Sequence, residues 1–187
     1  KSIRTTNLED RKALSAARNK LSETRERRVQ SGRDDKVLIS WDGLKLAAFA
    51  EAARALEQDD YREVVERNAA FVLRDLRTNK GRLLCTWKNG EGKLNAYLED
   101  HSYLIDGLAE LYQTTFDTRW YQAAHELVEA MIEHFEAPDG GFYDTSDDHE
   151  TLITRPRELQ DNATPSGHWQ LKRGSCHDPA SVPPYGG

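Results

Sequence analysis

Displaced by 60 residues, the chain falls on itself. Leu44 lands on Leu104, Ala48 on Leu108, Val72 on Ile132 and Gly81 on Gly141, and Asp60-Tyr61 falls near Trp120-Tyr121. A repeat of this length limits the chain to an array of supersecondary units, each burying its apolar face against the next. Each unit here reads as a helix, a second helix and a Gly-led extended turn.

Apolar spacing places the elements. Thr6-Asn7-Leu8-Glu9 has the pattern of a capping box, and Leu14, Ala17 and Leu21 give a narrow stripe that runs out near Val29. A polar connection leads to Val37-Leu38-Ile39, and Ser40-Trp41-Asp42-Gly43 opens a helix that runs to about Leu56. Its many alanines imply close helix-to-helix approach. Asp60-Tyr61-Arg62-Glu63 is a second capping-box pattern, starting a helix that carries Val64, Val65, Ala69, Val72, Leu73 and Leu76. Gly81 to Trp87 and the Asn89-Gly90 pair predict a small hairpin. A central helix is expected from about Leu98 to Thr114. Another starts at Asp117-Thr118 and runs to about Phe135, after which Phe142-Tyr143-Asp144 reads as extended. The expected units are residues 1–36, an outer helix and connection from a preceding hairpin; 37–96 and 97–161, two hairpins; and 162–187, the start of a third unit and an irregular tail. Beyond His168 the tail reads as flexible or as the product of a frame shift.

Composition excludes several classes. The apolar fraction is 37% and the charged fraction 31%, which suits amphipathic helices with one solvated face. No run of about 18 apolar residues is present, so no membrane span is expected, and the N-terminus lacks a signal-peptide core. Cys85 and Cys176 are far apart, which suggests neither a disulfide framework nor a zinc site; a cytoplasmic setting is the default. Residues 1–33 hold ten basic against four acidic side chains, a local +6 in a chain of net −6. With no aromatic residue among them to stack on a base, a solvated helix is expected rather than a nucleic-acid arm. Gly140-Gly141 is too short and wrongly placed to hold a phosphate, and no cofactor is expected.

The most informative stretch is Tyr97 to Tyr112. Leu104, Leu108 and Leu111 keep helical spacing, while Glu99, Asp100 and His101 crowd the helix start, where the dipole favours ionised carboxylates. Such a start reads either as a capped helix or as the rim of a pocket. Asp147-Asp148-His149-Glu150 reads as a solvated acidic loop rather than a cation site, because adjacent residues rarely converge on one ion, and Arg155 and Arg157 as loop anchors or as a grip on an anionic group.

Asp34 to Leu44, then Tyr97-Leu98-Glu99-Asp100, and finally Arg155-Pro156-Arg157-Glu158-Leu159 with Ala163-Thr164-Pro165-Ser166-Gly167 closely resemble the family of thioredoxin-domain-containing proteins that includes the spermatogenesis-associated member. The resemblance spans roughly Leu8 to Gly167. It implies an all-α fold, part of an (α/α)6 toroid of helical hairpins with short β excursions, similar to N-acylglucosamine 2-epimerases and six-hairpin glycosidases. It also implies a thioredoxin-like domain as partner, though no redox motif is present here. The family has asparagine where Asp42 stands and an aromatic residue where His101 stands. In such a toroid the inner helix ends surround a cavity. A sugar ring would then stack on aromatic side chains while carboxylates fix its hydroxyls. Glu99, Asp100, His101, Asp42 and Asp144 are the expected catalytic residues, and Trp41, Tyr97, Phe142, Arg155, Thr164 and Ser166 the expected substrate contacts. Two hairpins cannot close a ring, so apolar flanks and self-association are expected. A non-catalytic scaffold is the alternative.

Overall fold

The computed structural model describes residues 8–28, 32, 34–149 and 154–157. The chain divides at Asp35 into two units. The first contains α1 (Leu8–Glu26), whose side chains from Glu9 onward are exposed, Leu14 and Leu21 included. The capping residue Thr6 lies outside the described residues.

The second unit runs β1 (Val37–Leu38), α2 (Ile39–Leu56), α3 (Asp59–Asp75), β2 (Leu84–Lys88), β3 (Glu91–Asn95), α4 (Leu98–Thr115) and α5 (Thr118–Phe135). Helix α2 packs against α3 and α4, and α4 also against α5. The core joins Ile39, Leu46 and Ala50 of α2, Val65, Ala69 and Val72 of α3, Leu104, Leu108 and Leu111 of α4, and Trp120 and Leu127 of α5. No helix among the described residues is long and apolar enough to cross a membrane.

Glycine sets the closest contact. A Cβ on Gly43 would lie 2.6 Å from the Tyr103 carbonyl carbon, and one on Gly107 2.7 Å from the Leu46 Cβ. Neither separation is sterically possible, so α2 and α4 approach to a distance that only glycine permits. The small residues of this region do bring helices close, but the contact is made by two glycines rather than by the alanines.

The repeat is real but its step is 59 residues. Helix α2 begins at Ile39 and α4 at Leu98; they end at Leu56 and Thr115. The left-handed residues that close them, Glu57 and Phe116, keep the same step, as do the isolated bridges Arg77–Leu83 and Glu136–Phe142. One residue turns a helix by about 100°, and a broad apolar stripe aligns acceptably one place out of step, so the sequence match settles on 60. Every pairing moves by one residue as a result, and two of the new ones matter for the site and the core. Tyr61 corresponds to the buried Trp120 rather than to Tyr121, and Asp42 to His101.

The expected capping box at Asp60 does not form. Glu57 ends α2 in the left-handed conformation, and α3 starts two residues early, at Asp59, after an uncapped Gln58. Asp117 does cap α5, its carboxylate accepting the Arg119 amide at 3.0 Å. The hairpin forms around Asn89 and Gly90, both with positive φ, as the two-residue turn requires. Beyond expectation, β1 adds to it antiparallel, Val37 opposite Trp87, tying the start of α2 to the excursion.

Candidate functional site

The two ends of the hairpins differ. Helix α2 joins α3, and α4 joins α5, through two residues each, whereas α3 returns to α4 through the long stretch that carries β2 and β3. The long excursions lie where α2 and α4 begin, and loops held over fixed helix ends are where binding residues concentrate.

Asp100 holds this end together. One carboxylate oxygen accepts the Ser40 amide of α2 at 3.0 Å, the other the Tyr97 amide at 2.9 Å. A single side chain thereby satisfies open N–H groups on two neighbouring helices. It is 1% exposed. Burial pushes its pKa up to about 6 against the pull of the Tyr97 amide, with the Glu99 charge adding to the rise. The helix dipole, expected to keep these carboxylates ionised, is outweighed here by desolvation. Cys85 lies alongside, its thiol pushed up to about 12 by burial and by Asp100.

His101 follows, 1% exposed, its ring edge-on to Phe135 at 5.0 Å. Its Nδ1–H donates to the Tyr97 carbonyl at 3.0 Å, so the proton sits on Nδ1 and Nε2 keeps its lone pair. Burial pulls its pKa down to about 4; the Tyr97 carbonyl opposes this, and the charges of Arg82 and His134 add to it. Nε2 has no hydrogen-bond partner.

The other expected residues divide by position. Asp42 is buried toward α3, accepting from Lys45 and from Asn68 at 3.4 Å. Trp41 is 68% exposed, and Glu99 is exposed as well. The Tyr97 ring lies 5.1 Å from that of His149. Asp144 borders the start of α4, its carbonyl accepting the Leu98 amide at 2.9 Å, and Phe142 packs on Leu98, Met131 and Phe135. Arg155 is engaged by main chain, donating to the carbonyls of Thr145 at 3.1 Å and His134 at 3.0 Å while covering Tyr143. Thr164 and Ser166 lie outside the described residues.

Two residues here had no signal in the sequence. Arg82, next to the Gly81 turn, donates to Asp148 at 2.6 Å and is otherwise largely enclosed, its Nε and Nη1 without partners. His134, in the last turn of α5, meets Asp147 at 2.8 Å. Among the described residues, His134, Asp147 and Asp148 are the metal-ligating side chains brought together, within 4.8 Å of one another. Asp148 is already held by Arg82 and Ser146. At the opposite end, an open depression of about 290 Å³ is lined by Ala53, Arg54, Glu57, Gln58, Asp59, Arg62 and Thr114, none of them a residue singled out by the sequence.

No family model matches the chain. Spermatogenesis-associated protein 20 of mouse is 29% identical over 169 residues, covering 84% of this chain and 21% of that protein, and the human protein is 28% identical over the same length. The chain thus spans about a fifth of these relatives' length. Among solved structures, cellobiose 2-epimerase from Spirochaeta thermophila aligns with a TM-score of 0.59 at 15% identity, covering 74% of this chain and 37% of that one. D-mannose isomerase aligns at 0.57 and 16% identity, covering 75% and 37%, and an α-mannanase from Bacteroides thetaiotaomicron at 0.52 and 16%, covering 62% and 33%. The chain therefore has the fold of part of an α/α toroid, all-α with short β excursions, and in sequence it is similar to spermatogenesis-associated protein 20.

Proposed function

We propose that these hairpins belong to a carbohydrate-active toroid, epimerase-like or glycosidase-like, whose ligand lies where α2 and α4 begin. One observation carries this reading: the loop-bearing end presents an exposed aromatic platform, Trp41, and an exposed carboxylate, Glu99, on adjacent helix starts locked together by Asp100. An indole face suits the apolar face of a sugar ring, and a carboxylate fixes hydroxyls. The similarity in fold to a cellobiose 2-epimerase, a D-mannose isomerase and an α-mannanase supports it.

Roles follow from position and from the state of each polar atom. Trp41 stacks the ring, and Tyr97 and Phe142 are further proposed contacts. Glu99 and Asp144, bordering the same helix start, are the pair for proton transfer if a glycosidic bond is cleaved, which needs two carboxylates flanking it. For epimerisation the unprotonated Nε2 of His101 is the base. Asp42 and Asp100 act as positioning residues, and Arg155 holds the loop that carries Asp144. Thr164 and Ser166 remain proposed contacts, as do a thioredoxin-like domain as partner and a cytoplasmic location.

Calorimetric titration of the protein with mono- and disaccharides tests the reading. Saturable binding that Glu99→Gln abolishes in a folded protein is expected; no binding by any sugar contradicts it. The second reading, a non-catalytic scaffold, draws on the two buried aspartates, whose carboxylates are engaged in joining helices.

A further inference from the structure

Buried polar atoms without partners are few in folded proteins, and each one calls for an explanation. Around the start of α4 three side chains carry them: His101 at Nε2, Arg82 at Nε and Nη1, and Thr145 at Oγ1. Hydrogen bonds link the three segments that carry them. Leu98 donates to the Asp144 carbonyl, which sets Thr145 beside the first turn of α4, and Arg82 reaches the same loop through Asp148, which also accepts from Ser146 at 2.7 Å. His101 feels the charge of Arg82.

The chemistry of the atoms selects the ligand. Nε2 is a bare acceptor and needs a donor, whereas the Arg82 nitrogens are donors and need an acceptor. A group that reaches both must donate and accept at once, and a hydroxyl does so. An anion is disfavoured: it would face the Nε2 lone pair, and Arg82 is already paired with Asp148, with Asp147 beside it.

Resting on the carbohydrate reading above, we propose that His101, Arg82 and Thr145 form an inner subsite for a neutral hydroxyl-bearing group, one sugar hydroxyl donating to Nε2 and accepting from Arg82. Trp41 and Glu99 at the rim would hold the rest of the ring, so recognition has an outer stacking part and an inner hydrogen-bonding part.

Two-bond ¹H–¹⁵N correlation spectra of the histidine-labelled full chain read Nε2 directly, because its nitrogen shift responds to a hydrogen bond donated to the lone pair. The probes are D-mannose, D-glucose and cellobiose, with inorganic phosphate at matched ionic strength, alongside calorimetry on the same samples. One of the sugars should move the His101 Nε2 signal saturably. Arg82→Gln and Thr145→Val should each weaken that response, by about tenfold for the arginine, with the fold intact by circular dichroism. Sugar binding seen by calorimetry with an unmoved Nε2 overturns the subsite and leaves the broader reading standing. A signal moved by phosphate alone, or one already at its hydrogen-bonded position and unaffected by every probe, overturns it in favour of an anion or of water. Absence of binding by both methods overturns subsite and broader reading together.

Discussion

Asp100 and His101 are neighbours with opposite acid responses. Asp100 has a folded pKa of about 6, above its ordinary 3.8, so the folded state binds that proton first; its contribution to stability grows as pH falls from about 6 to 4. His101 is held near 4, below its ordinary 6.5, so the unfolded state protonates first; its contribution is present above about 6.5 and is lost as pH falls toward 4. Each amounts to roughly 3 kcal/mol at most, and between pH 6 and 4 they offset one another. Removing one should expose the other. Denaturant titrations across this range should show Asp100→Asn losing stability on acidification more steeply than wild type, and His101→Gln gaining. Parallel profiles for all three proteins would contradict the pairing. At pH 7 Asp100→Asn should also cost about 1–3 kcal/mol, because its amide turns a donor toward a main-chain N–H that now bonds a carboxylate. The sequence placed these residues at a helix start. It could not show that Asp100 spans two helices, because its bond to Ser40 joins residues 60 apart.

At the scale of elements, the sequence was most legible where pattern and punctuation agreed. Helices α4 and α5 lie within a residue of expectation because leucine spacing, the Asp117 cap and the Gly140 break coincide. The step of the repeat was one residue out because stripes are broad. The missing cap on α3 and the addition of β1 to the hairpin depended on a left-handed Glu57 and on long-range pairing, which local spacing does not encode. The glycine contact between α2 and α4 is the element-level determinant of the fold. Gly43→Ala and Gly107→Ala should each destabilise by about 1–3 kcal/mol, since a methyl there meets backbone or a neighbouring Cβ and the helices must separate. Gly90→Ala, in an open turn with positive φ, should cost less. Equal losses at the three positions in thermal melts would contradict the close-packing account.

On the scale of the whole molecule, the repeat shows what is uncovered. The face of α4 that meets α2 includes Leu104, Gly107 and Leu111; 59 residues earlier these positions are Lys45, Ala48 and Ala52, on a side of α2 that is largely exposed, with Phe49 and Leu56 flanking it. A surface of small and aromatic residues that is covered in one unit is open in the other. We propose a second copy of the chain as its occupant. Light scattering should show mass rising with concentration, and Ala48→Glu should hold the protein as a monomer. A wild type that stays monomeric at high concentration would contradict this. The candidate site was legible only in part at this scale: its rim residues came from matching motifs, while Arg82 and Thr145 join it through loop geometry. The central claim is that the beginnings of α2 and α4 bind a sugar, and side-by-side calorimetry and melting of wild type, Trp41→Ala, Glu99→Gln and Asp100→Asn test it most directly. The account predicts that Trp41→Ala and Glu99→Gln lose sugar binding at unchanged stability, while Asp100→Asn loses stability first. Sugar binding that survives both rim substitutions, or that no variant or wild type shows, would contradict it.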